Sequence, residues 1–134
     1  MLPRTLVATT MLLSASAIAA PTTNDDPRLH DIAKAISADR IQQDITTLEN
    51  FATRHTLSET KSDTRGIGAA RRWIKKEFEQ ISANCGGCLE VITVGETISG
   101  EKRIPNPVEV VNVIAIQRGT TDPERYVLMS GDID

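Results

Sequence analysis

Aromatic residues are scarce, at 3% of the 134 residues, and histidine and cysteine appear only twice each. His30 and His55 have no partner at ligand spacing, so each is expected to be a surface or hydrogen-bonded structural residue. The cysteines stand together as Cys85-Gly86-Gly87-Cys88. A structural zinc site of the finger type would need a second Cys or His pair, which the sequence lacks. No serine, Ser130 beside Gly131 included, lies in a Gly-x-Ser-x-Gly elbow, which leaves serine hydrolase chemistry unsupported. There is no internal repeat. A concentrated basic field is also missing: Lys and Arg number 15 against 18 acidic residues, for a net charge of -3. They stand singly or in pairs, and nucleic acid is therefore not an expected partner.

What is present is an ordinary soluble composition, 40% apolar and 25% charged. Arg4 precedes an apolar run from Leu6 to Ile18 that closes on Ala17-Ile18-Ala19-Ala20 before Pro21. This reads as a secretory signal peptide over residues 1–20, with small residues suited to cleavage after Ala19 or Ala20. The run is shorter, and richer in Ala, Ser and Thr, than the roughly 20 apolar residues of a membrane span. Stable membrane insertion after cleavage is not expected, an uncleaved anchor being the alternative, and the expected location is secreted or periplasmic. Residues 21–27, polar with two prolines, form a linker. The folded part is expected over 28–134.

Leu29, Ile32, Ala33 and Ile36 fall at helical spacing, as do Ile41, Ile45, Leu48 and Phe51 or Ala52. Two amphipathic helices are predicted, the second capped by Ser37 with Asp39 in its first turn. Arg54 to Gly66 has no sustained apolar period and is expected to be a surface loop. Ile67, Ala70, Trp73, Ile74, Phe78 and Ile81 then mark one stripe of a third helix, with Trp73 as its core anchor. Beyond Gly86 and Gly87 the texture turns β-branched. Leu89 to Val94 reads as a strand, residues 99–107 as a loop, and Val108 to Gln117 as a second strand apolar on both faces. A turn around Asp122-Pro123 leads to a third strand over Tyr126 to Met129. Helices followed by apolar strands predict an α/β chain, with helices packed on a mixed sheet.

The chain continues as Ser130-Gly131-Asp132-Ile133-Asp134. On an extended backbone, Asp132 and Asp134 point the same way because side chains alternate with period two, so two carboxylates could converge on one cation. The competing reading is that they cap a helix or bond loop amides. The strand, turn, strand unit from Asn112 to Asp134 resembles the start of the catalytic domain of the M28 family of zinc aminopeptidases. More loosely, the resemblance extends back to about Ile41, through an Arg-bearing loop leading into an Ala-rich helix with an aromatic residue.

That resemblance implies an incomplete, N-terminal part of a zinc-peptidase-like domain, because the family's domain needs roughly twice this length. It implies zinc as the cofactor and a peptide or protein as the substrate, with zinc-activated water cleaving the N-terminal peptide bond. In the family the strand ends in Gly-His-x-Asp, whose His is a zinc ligand. Here Asp132 takes that ligand position, and Asp134 matches the Asp that orients the ligand from behind. A carboxylate in place of an imidazole could alter the preference of that metal position, reduce the enzyme to one zinc, or mark a member without catalysis. None of the other ligands lies in this chain, which on its own is expected to be inactive. A noncatalytic peptide-binding member of the fold and a glutaminyl-cyclase-like transferase with one zinc are the rival readings. A complete exported domain without enzymatic activity is a further one.

For Cys85 and Cys88 the simplest state in an exported chain is a local disulfide closing the turn before the first strand. A redox-active pair would sit at a helix N-terminus, whereas this motif follows a helix. Free thiols remain open as an alternative.

Overall fold

The computed structural model describes residues 26–133. Helix α1 spans Pro27–Lys34 and starts where local chemistry favours it: the Asp26 carboxylate accepts from the Arg28 amide, and Pro27 fills the first turn, where no donor is missed. It begins one residue before the expected boundary. This helix belongs to one unit of the chain, and Ser37 onward forms another. Leu29 and Ile32, on the apolar stripe of α1, are exposed.

In the second unit, α2 spans Ala38–Asn50 and is capped as expected, with the Ser37 hydroxyl accepting from the Arg40 amide and Asp39 in the first turn. Its exit is strained. Ala52 holds the left-handed backbone that a glycine would adopt more cheaply, at φ 58°. Helix α3 spans Gly66–Asn84 and buries Ile67, Ala69 and Ala70, with Trp73, Ile74 and Phe78 half-buried along the same stripe. Trp73 meets Phe51 at a ring separation of 6.3 Å in a tilted arrangement. Arg40 reaches Asp44 on its own helix at 2.8 Å and Glu77 on α3 at 2.5 Å.

Strands β1, Glu90–Ile98, and β2, Val108–Ile116, pair antiparallel from Glu90 opposite Ile116 to Ile98 opposite Val108. Both β-branched runs thus form strands, and α3 packs on the hairpin they make. The connecting loop is pinched by reciprocal backbone hydrogen bonds between Glu101 and Ile104. The α/β class is observed, with α3 on a sheet whose described ladder is antiparallel. Between α3 and β1, Gly86 and Gly87 take φ of 72° and 87°, which lets the chain reverse tightly after the helix. Cys85 and Cys88 are joined by a disulfide across this turn. The Ser82 hydroxyl holds the same turn from the helix side, donating to the Leu89 carbonyl and accepting from its amide.

One expected element is corrected. Tyr126–Met129 does not form a third strand, although the turn before it closes with the Arg125 amide on the Asp122 carbonyl. A strand is completed by a neighbour's ladder, and none of the described strands pairs with this segment. Its side chains are 80–91% exposed, so neither face gains burial.

Candidate functional site

The loop between α2 and α3 wraps the start of α3 and supplies what its first amides need. Arg65, at the N-cap position, makes no side-chain cap. Instead the Gly66 amide donates to the Phe51 carbonyl, the Ile67 amide to the Ser58 hydroxyl at 2.9 Å, and the Gly68 amide to the Glu59 carbonyl at 3.1 Å. This helix end is therefore satisfied internally and is no anion cradle. The approach is close because two glycines permit it. A Cβ on Gly68 would lie 2.0 Å from the Thr60 carbonyl oxygen, and one on Gly66 2.3 Å from that of Glu59. Arg72, one turn along, closes the loop from outside by donating to the Thr60 and Ser62 carbonyls and pairing with Asp63 at 3.0 Å.

The Glu59 carboxylate accepts from the Lys61 amide at 2.7 Å. That bond, aided by the Ser62 and Thr60 amides and opposed by slight desolvation, holds Glu59 below the ordinary glutamate value. His55 accepts from the Leu57 amide through Nδ1, the role of a local structural residue.

Arg54 does most to locate the candidate ligand segment. Its Nη1 donates to the Leu48 carbonyl at 2.5 Å, and its Nε donates to the Ile133 carbonyl at 2.7 Å. Helix α2 carries no basic residue in its last turn, so this half-buried guanidinium supplies the cation that the carbonyl end of the helix favours. One planar group thereby joins the end of α2 to the backbone beside Asp132. Composition and period did not reveal this role, since a loop arginine is ordinarily a solvated side chain. The pairing also spans 79 residues of sequence.

Asp132 is exposed in the described segment, and Asp134 lies outside the described residues. Among the described residues, no three His, Cys, Asp or Glu side chains gather to hold a metal ion. Asp132 can offer one carboxylate, but the residues described do not by themselves make a zinc site. The structure does not bring either histidine or the bonded cysteines together with it as a ligand group. Among the described residues, no helix is long and apolar enough to cross a membrane.

Compared with known proteins, the chain is 41% identical over 109 residues to a protein named "Probable zinc metalloprotease" from Pyrenophora teres f. teres, covering 81% of this chain and 23% of that protein. It is 39% identical over 109 residues to "Probable zinc metalloprotease Lema_P086240" from Leptosphaeria maculans, covering 81% of this chain and 25% of that one. A "Probable zinc metalloprotease" from Pyricularia oryzae is 43% identical over 95 residues, which are 71% of this chain and 19% of the relative. The chain thus spans about a fifth to a quarter of the length of these relatives. No model of a known protein family matches the chain, and no solved structure matches it.

Proposed function

We propose that this chain is the N-terminal part of an exported zinc-dependent aminopeptidase of the M28 type, acting on peptide or protein substrates. The observation that carries the reading is the 39–43% identity to proteins named as zinc metalloproteases, extending over most of the chain. Identity at that level over about a hundred residues supports a zinc metalloprotease family. The narrower reading rests on the motif around Gly131-Asp132-Ile133-Asp134, in which Asp132 replaces the ligating His and Asp134 keeps the orienting position. A carboxylate oxygen is a harder donor than an imidazole nitrogen, so the metal position is expected to shift its preference toward harder divalent ions. The remaining ligands would come from sequence outside this chain, and the chain alone is expected to be inactive. Residues 1–20 are the proposed export signal, placing the protein outside the cell or in the periplasm.

The test uses the full-length protein on unmodified and N-terminally blocked peptides, with products mapped by mass spectrometry. Stepwise release of N-terminal residues, abolished by a chelator and by the N-terminal block, is the expected result. Cleavage that ignores the chelator would overturn the zinc reading. Chelator-sensitive cleavage at internal bonds of the blocked peptide would retain a metalloprotease and overturn the aminopeptidase. Asp132→Asn is expected to lower zinc affinity by at least about tenfold, because it removes a charged ligand oxygen.

A further inference from the structure

We infer that Arg54 is a positioning residue for the segment that carries Asp132. The inference rests on the reading of Asp132 as a metal ligand and deepens it. The geometry is specific to a guanidinium: Nη1 donates at 2.5 Å to the carbonyl of Leu48, in the last turn of α2, while Nε donates at 2.7 Å to the carbonyl of Ile133. A planar fork serving two carbonyls from two distant segments fixes their separation and mutual angle, which a single flexible donor does less well. The segment has little else to fix it. Tyr126, Val127, Leu128 and Met129 are largely exposed, and residues 126–133 belong to no described strand. Ile133 directly follows Asp132, so holding the Ile133 carbonyl restrains the backbone on which the Asp132 carboxylate pivots. The anchor itself is firm, because α2 is capped at its start by Ser37 and tied to α3 through Arg40 and Glu77.

The experiment compares Arg54→Met, which keeps the stem and removes every donor, with Arg54→Lys and Asp132→Asn in the full-length protein. Amide exchange is followed over residues 126–133, α3 and the β1–β2 hairpin, and zinc affinity is measured by chelator competition. Arg54→Met is expected to speed exchange over 126–133 about tenfold, the scale of losing one charge-assisted hydrogen bond, while the hairpin stays protected. Zinc affinity should fall roughly tenfold, as for loss of a group that orients a ligand, and Arg54→Lys should recover part of both effects. Unchanged exchange over 126–133 overturns the inference. So does equal loosening of α3 and the hairpin, which would make Arg54 a general stabiliser. Weakened zinc binding in Asp132→Asn with none in Arg54→Met also overturns it. Faster exchange in Arg54→Met, with zinc affinity unmoved in both variants, would uphold the anchoring of the segment and reject Asp132 as a ligand.

Discussion

Gly68 sets two opposing residue-scale effects against each other. It sits inside α3, where replacing glycine by alanine ordinarily gains about 1 kcal/mol through backbone entropy. At this position the added Cβ would stand 2.0 Å from the Thr60 carbonyl oxygen and 2.6 Å from its Cα. Both obstacles are backbone atoms, so no rotamer change relieves them, and either the loop or the helix must move. Overpacking of that kind costs about 3 kcal/mol or more, which exceeds the propensity gain. Gly68→Ala is therefore expected to release the loop from α3. Amide exchange would rise at Ile67 and Gly68, whose donors rest on Ser58 and Glu59. Unchanged protection at those amides would mean that the loop does not seat on the helix as described. In the sequence, Ser58 reads as part of a surface loop and Gly68 as part of the third helix. Their value is fixed by a contact between loop and helix, which local pattern does not encode.

At the scale of elements, the loop over α3 should be sensitive to acid. Glu59 holds it twice, through its carboxylate on the Lys61 amide and its carbonyl under the Gly68 amide. Because the Lys61 bond lowers the folded-state pKa of Glu59, its contribution is fully present above the ordinary value of 4.5 and is lost as pH falls through the lowered one. The carboxylate is exposed, so the effect is local rather than a threat to the whole fold. Once corrected for the intrinsic pH dependence of exchange, the Lys61 and Gly68 amides should lose protection in that acid window, and Glu59→Gln should remove the transition. A transition that persists in Glu59→Gln would assign it to another group.

The elements themselves were legible to different degrees, and for physical reasons. Helices α2 and α3 are amphipathic at the 3.6-residue period, and the Ser37 cap is local, so both follow from neighbouring residues. Strands β1 and β2 follow from β-branched runs that a short loop returns on each other. Tyr126–Met129 is just as apolar, yet a strand needs a partner edge, and no local pattern supplies one. The candidate site divides in the same way. Asp132 could be singled out by residue type and neighbours, whereas Arg54 became visible only when folding brought α2 and Ile133 together.

For the molecule as a whole, the balance of buried and exposed apolar surface governs behaviour in solution. Among the described residues, the buried apolar side chains are Ile67, Ala69 and Ala70, two of them small. Against that core stand Leu29, Ile32, Ile41, Ile45 and the run from Tyr126 to Met129, each at least 49% exposed. Scattered apolar residues on a surface are ordinary, but four in sequence between 80% and 91% exposed are a site for association. An unpaired extended apolar run also invites strand pairing between copies. The 134-residue chain expressed alone is therefore expected to bind a hydrophobic dye and to grow in size with concentration, rather than unfold as a cooperative monomer. Val127→Asp combined with Met129→Asp should reduce both signals, since on a paired strand the two charges share one face and oppose its burial. Light scattering and dye fluorescence across a concentration series would decide. A monomer with a sharp thermal transition would mean that the exposed run is tolerated as ordinary surface. Association unaffected by the paired aspartates would shift the cause to the opposite face, Tyr126 and Leu128, or to the apolar stripes of the helices.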